Sequence, residues 1–205
     1  MKNFLIGLIA STGLTMASMA HATVINFDDL NAGGKLAGIN KASPTPYAGF
    51  TWGGNMFLGD TSVAGYGNAA HSGTKFLSNG FGANNLLTMS SLDPFNFAGA
   101  WFATPGTNGA KASWVNISAY NSANQLIGST GNMAITSNYA FIAASFSNVA
   151  RLSITRDKGW FVMDDLSFSR ASDVPEPGSI ALIGLGVAAL GWTRRRRAGR
   201  DAHLG

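Results

Sequence analysis

Two pairs of adjacent aspartates, Asp28-Asp29 near the start and Asp164-Asp165 near the end, are the densest chemistry in this sequence. Carboxylates can ligate a divalent cation or act as the acid and base of hydrolysis. Neighbouring residues on a strand point to opposite faces, so neither pair forms by itself the facing carboxylates of a glycoside hydrolase. Asp60, Asp93 and Asp157 are further carboxylates that a fold could assemble into such a pair. Cysteine is absent, His71 is the only histidine between residues 23 and 173, and the sole glutamate is Glu176. Phosphate-loop and tetrahedral-metal spacings are missing too. The residue types therefore argue against an enzyme.

The strand that must carry Asp164 sharpens the alternatives. Val162, Asp164, Leu166 and Phe168 share a face at period two, apolar except for Asp164, while Asp165 points toward the side of Phe161 and Met163. A buried carboxylate is costly unless hydrogen-bonded or bound to a cation. Either Asp164 accepts backbone N–H bonds at the rim of a sandwich, or it joins Asp28 or Asp29 and nearby carbonyls around a structural calcium ion.

Aromatic residues are the second chemistry. Tyr47 and Tyr66 stand in glycine-marked loops, and Trp114 and Tyr120 lie opposite Val115, Ile117 and Ala119 on the segment Ser113–Tyr120. Sugar C–H faces lie against such rings while Asn, Ser and Thr side chains meet their hydroxyls, so these four are the candidate ligand residues. Trp52, Trp101 and Trp160 read equally well as core.

Strand-like windows recur along residues 23–173: 23–28, 50–52, 75–79, 86–90, 95–103, 113–120, 125–127, 139–146, 149–155 and 160–169. Segments 31–49 and 59–73 read as long loops, and no window carries a capped helical stripe. About 150 residues without disulfides make one domain held by packing. The expected fold is all-β, a jelly-roll-like β-sandwich.

The two ends read as targeting segments. Lys2, an apolar run from Phe4 to Met16 and Ala20-His21-Ala22 form a secretory signal over residues 1–22, with Ser18-Met19-Ala20 as a second cleavage site. At the other end stand Val174, Pro175, Glu176, Pro177 and Gly178, then an apolar stretch over 179–192, then Arg194, Arg195, Arg196 and Arg197. The prolines keep the first part extended and non-helical. As a helix the apolar stretch would span about 21 Å, short of the roughly 30 Å hydrocarbon core, with the arginines fixing the cytoplasmic side. A retained single-pass anchor is the alternative.

Residues 174–205 resemble the PEP-CTERM sorting signal of Gram-negative bacteria, although Ala198 to Gly205 extends further past the arginines than is usual there. The resemblance implies export by the Sec machinery, a transient inner-membrane intermediate, cleavage by an exosortase, and a final place at the cell surface or outside the cell. PEP-CTERM-like tails also accompany proteins labelled ice-binding, but no regular Thr-rich repeat supports that activity here. The formal charge of +4 comes from these ends. Between 23 and 173, Lys35, Lys41, Lys75, Lys111, Lys158, Arg151, Arg156 and Arg170 balance eight aspartates, which leaves no basic stripe for nucleic acid.

Within the domain, Val24-Ile25-Asn26-Phe27-Asp28-Asp29-Leu30 and Trp160-Phe161-Val162-Met163-Asp164-Asp165-Leu166-Ser167-Phe168 resemble the first and last strands of galactose-binding-like jelly rolls. That group includes carbohydrate-binding modules. The resemblance implies neighbouring first and last strands and, in some members, a structural calcium ion. Three functions follow as expectations: a matrix or biofilm protein that binds exopolysaccharide, a structural surface or filament component, and, last, a hydrolase of extracellular polymer.

Overall fold

A computed structural model describes residues 22–42, 46–53, 55–80 and 87–170. These all fall in one compact unit, His21–Asp173. Residues 1–21 of the expected secretory signal, and the whole sorting tail with the apolar stretch 179–192 expected to be a helix, lie outside the described residues. Among the described residues no helix is long and apolar enough to cross a membrane.

The strands are β1 (Thr23–Ile25), β2 (Ala37–Gly38), β3 (Thr51–Trp52), β4 (Met56–Asp60), β5 (Lys75–Asn79), β6 (Leu87–Ala103), β7 (Trp114–Tyr120), β8 (Leu126–Ser129), β9 (Met133–Ala134), β10 (Ala140–Arg156) and β11 (Val162–Arg170), with one helical turn, α1 (Ile39–Ala42). They pair in the order β2-β4-β5-β11-β6-β10-β7-β8; β1 joins β11, β3 joins β6 and β9 joins β7. Every ladder between these strands is antiparallel. The first and last strands are neighbours, with Val24 opposite Ser167.

Two 17-residue strands, β6 and β10, turn this single sheet into a sandwich. The sequence suggests four shorter strands there, 86–90, 95–103, 139–146 and 149–155. Instead both chains run on through a bend, and the register between them shifts at three places between Ala143 and Arg151. Bulges absorb extra residues, tolerate Pro94 and sharpen the twist, so paired strands can pass from one layer to the other without ending. Asn148 sits in the left-handed region at φ 58°, as a bulge residue often does.

The near halves of β6 and β10 pair with β3 and β7 in one layer, and in the other the far half of β6 pairs with β11 on one side and the far half of β10 on the other. One buried cluster fills the space between. Trp52, Met89, Val115, Ile117, Leu152 and Ile154 come from the first layer, and Leu77, Phe95, Phe97, Ile142, Met163 and Phe168 from the second. The all-β sandwich expected from the sequence is the observed fold. Alternation is clearest in β7, where Val115, Ile117 and Ala119 are buried and Trp114, Asn116, Ser118 and Tyr120 are half-buried on the outer side.

The sequence misses β4, whose Met-Phe-Leu-Gly-Asp has no alternation because both faces are covered. Leu58 belongs to the main core, while Phe76 on β5 faces a second, smaller cluster with Tyr66, Ala69, Ala103 and Val162. The loop that follows β4 supplies Tyr66 and Ala69 and so lies over the outer face of the second layer.

Phe50 ties the layers at one end. Its ring meets Phe95 and Phe168 edge-on, with centroids 4.9 Å away in each case, and the Arg170 guanidinium lies over it at 4.9 Å. Replacing Phe50 by Ala is expected to cost about 3–5 kcal/mol, since a rigid aromatic cluster cannot collapse into the space left. Chemical denaturation of the two proteins measures it, and a loss under about 1 kcal/mol would show that this end is not packed as described.

Candidate functional site

The described carboxylates are used as clamps. Asp164 is fully buried; its Oδ2 accepts the backbone N–H groups of His71 at 2.8 Å and Ser72 at 3.0 Å, and its Oδ1 accepts the N–H of Asp165 at 2.7 Å. Asp165 reaches the same two loop residues with its own carboxylate. Its Oδ2 is 2.6 Å from His71 Nδ1, and its Oδ1 accepts the Ser72 hydroxyl at 2.7 Å. Asp28 Oδ1 accepts the next donors along the same loop, the N–H groups of Thr74 at 2.8 Å and Lys75 at 3.1 Å. Gly73, between Ser72 and Thr74, has φ +54°, and a Cβ there would strike the Asp28 carboxylate. At the loop's start, Asp60 takes the N–H and hydroxyl of Ser62, and these bonds hold its pKa below the usual carboxylate range.

The backbone explains why Asp164 faces this loop. Val162 packs in the small outer cluster and Met163 in the main core, but Leu166 and Phe168 also lie in the main core. Asp164 therefore does not share the face of Leu166 and Phe168 as strict alternation predicts. Asp165 has φ 46°, and the register against β6 shifts between Asp164 and Ser167, so a bulge reverses the phase of the strand. A non-glycine residue in this conformation is strained, and the bonds from Ser72 and His71 hold it there.

The expected calcium set is not gathered. Asp28 and Asp164 meet the different N–H donors just described, and Asp29 accepts the Tyr47 hydroxyl at 2.6 Å. Among the described residues no group of three or more His, Cys, Asp or Glu side chains converges on a metal position.

The candidate ligand residues fall in three places. Tyr66 is buried and stacks on Phe76 at 5.3 Å, so it is core and not a loop platform; a glycine-marked loop that folds back onto the sheet buries its aromatic. Tyr47 is half-buried against Phe27 and Trp52, in an open groove of about 410 Å³ whose other walls are β1, Asp29 and Pro46. Burial and the bond to Asp29 raise its pKa, so its hydroxyl stays a neutral donor.

Trp114 and Tyr120 stand at the two ends of the outer row of β7, about 20 Å apart by strand rise. Asn116 and Ser118 lie between them. The Arg151 guanidinium covers the Tyr120 ring at 3.9 Å and donates to Asn124 Oδ1 at 2.6 Å. Register puts Arg151 opposite Tyr120, Ser153 opposite Ser118 and Thr155 opposite Asn116; Ser153 is buried, so only Arg151 and Thr155 extend the row to solvent on β10. Asn116 Oδ1 accepts the Ser129 hydroxyl at 2.8 Å, which fixes its amide.

A fourth place is one that sequence reasoning missed. His71 stacks on Trp101, with ring centroids 3.9 Å apart and planes 14° from parallel. Trp101 is half-buried on the outer face and not in the core; it lies opposite Asp164 on one side and Phe141 on the other. The only available signal was His71-Ser72 at the end of a long loop beside an unexplained Asp-Asp pair.

Residues 173–197 match the family model for the PEP-CTERM protein-sorting motif. The chain carries a PEP-CTERM sorting signal. It implies an exported protein that passes through a membrane-anchored intermediate, is processed by an exosortase and reaches the cell surface. No curated protein matches the chain. Among solved structures it is similar to a DUF4465 family protein from Bacteroides caccae, with 12% identity, 57% of this chain and 73% of that one covered, and a TM-score of 0.43. It is similar to the CBM22-1–CBM22-2 tandem domain of Paenibacillus barcinonensis Xyn10C at 11% identity, 78% of this chain and 48% of that one, and a TM-score of 0.48. TmCBM61 in complex with β-1,4-galactotriose is a further neighbour, with 14% identity, 65% and 94% covered, and a TM-score of 0.36. The PEP-CTERM chain thus spans about half the length of the tandem domain.

Asp164 gives the clamp a pH dependence. Burial pushes its pKa up to about 7, against the pull of the Ser72, Asp165 and His71 N–H groups and with a further push from Asp165. The unfolded value is near 4, so the folded state binds this proton more tightly. Its contribution to stability is fully present below about pH 4 and is lost as pH rises through about 7. Melting temperature followed across that window is expected to carry an inflection near neutrality, which the Asp164→Asn variant lacks. An unchanged inflection in the variant would assign it to another group.

Proposed function

We propose that this PEP-CTERM protein is a non-catalytic exopolysaccharide-binding component of the cell surface or extracellular matrix, and that the outer row of β7 is its sugar-binding face. One observation carries the proposal. Trp114 and Tyr120 bracket a strand's length of Asn and Ser side chains on the half-buried outer face, and Arg151 and Asn116 are already fixed by their own bonds. Aromatic rings at the ends offer flat apolar surfaces to sugar C–H faces, and the amides and hydroxyls between them both donate and accept. Preordered side chains lose less entropy when a ligand binds. The span accommodates several sugar units, as an extended polymer requires.

The sorting signal supports the location, since exosortase processing would deliver the domain to where exopolysaccharide lies. A near-neutral domain also avoids repulsion by an acidic polymer. The second function, a structural surface component, draws support from Leu126, Ile127 and Met133, apolar side chains exposed on β8 and β9. Light scattering tests it, because self-association through this edge would be lost in Ile127→Lys.

Co-sedimentation of the full chain with the source organism's exopolysaccharide is the direct measurement. Trp114→Ala and Tyr120→Ala are each expected to weaken retention by roughly tenfold, as removal of a stacked aromatic anchor does. Chelator is expected to leave retention unchanged, because Asp28, Asp29 and Asp164 already serve N–H and O–H donors. Full retention by both variants would remove β7 as the site. Separately, loss of the exosortase is expected to leave the uncut chain in the membrane fraction, seen as a larger band on an immunoblot.

A further inference from the structure

We infer that the His71–Trp101–Phe141 cluster on the outer face of the second layer is a separate binding site for a neutral sugar ring. The inference rests on the carbohydrate-binding reading above but on different residues and a different layer. Phe141, Trp101 and Asp164 form a row across β10, β6 and β11, and His71 is laid over it from the loop before β5. Phe141 is 41% exposed and its ring centroid is 5.6 Å from that of Trp101. The Tyr139 ring meets the His71 imidazole edge-on at 5.3 Å. An exposed aromatic beside a half-buried stacked pair is an apolar shelf open to solvent.

The polar half of the site follows from the clamp. A carboxylate can only accept, so the 2.6 Å contact to Asp165 places the imidazole proton on Nδ1. Nε2 of the neutral ring is then an acceptor. It has no hydrogen-bond partner among the described residues, while the side chain is 30% exposed. The backbone at 71 and 72 is held by Asp164, and Ser72 braces Asp165, so the imidazole is fixed before any ligand arrives.

Charge selects the ligand class. The acidic groups facing the cluster are Asp165 and, as it ionises through about pH 7, Asp164; burial raises the pKa of Tyr139 and their field raises it further. A uronate or sulfated sugar would be repelled. A neutral pyranose could lay C–H groups on Phe141 and the His71–Trp101 stack and donate a hydroxyl hydrogen to Nε2. The β7 row, with Arg151 over Tyr120, carries no such bias against acidic sugars.

Fluorine NMR of the full chain labelled with fluorotryptophan separates the two faces, with Trp101→Phe and Trp114→Phe assigning the two resonances. Titration with neutral xylo- and galacto-oligosaccharides is expected to shift the Trp101 resonance saturably, whereas oligogalacturonate is not. Phe141→Ala and His71→Ala should each weaken that shift by about tenfold. Phe141 is exposed enough that its variant remains folded, which a thermal melt checks. A silent Trp101 resonance with every neutral probe, or an equal response to oligogalacturonate, overturns the inference. If Trp114 alone responds, the β7 site stands and this one falls; if Trp101 alone responds, the reverse holds.

Discussion

The buried carboxylate of Asp164 is the constraint on which the outer half of this domain depends. A charge or a polar group without water is costly unless its lone pairs are met. Here three backbone N–H groups meet them, and two of these belong to a loop more than 90 residues away in the chain. That exchange draws His71 and Ser72 down onto the sheet. It also lets Tyr66 and Ala69 close a second small core over Phe76, Ala103 and Val162. The strained backbone of Asp165 belongs to the same device, because the reversal of phase there sends Asp164 outward and Leu166 inward.

The sandwich is built with equal economy of parts. Two long bent strands serve both layers, so the hydrogen-bonded sheet never stops at a layer boundary. Buried residues from both layers form one cluster, which replaces the disulfides that an exported domain of this size often carries. Because each strand buries one face inward, what remains outward is a choice left to the sequence. In β7 that choice is a row of amides and hydroxyls between two aromatics. In the far half of β6 and β10 it is Trp101 and Phe141.

This division separates what stabilises the domain from what it presents outward. The inner faces pack the core without disulfides, and the outer faces are free to differ. One carries a cation stacked on a ring, and the other lies over two carboxylates. The sorting signal and the domain are separate in sequence and in chemistry, with the net positive charge lying in the two ends and the folded part near neutrality.

Period-two alternation is a local property, so Val115, Ile117 and Ala119 could be assigned inward, and Trp114 and Tyr120 outward, from the sequence. The all-β class and the sorting tail were legible for the same reason: turns, strand residues and the Pro-Glu-Pro, apolar and arginine segments are each written in consecutive residues. The aspartates were legible only as an anomaly. Their spacing showed that something polar must be satisfied, but not whether a cation or a loop would satisfy it. Tertiary structure decided that, since the donors of His71 and Ser72 are brought to Asp164 from more than 90 residues away where β5 pairs with β11. It likewise decided that Tyr66 is core and Trp101 is not, and that β6 and β10 are each one strand where the sequence suggests two. Those outcomes depend on a bulge phase and on which loop covers which face, and both are set by contacts between residues far apart in the chain.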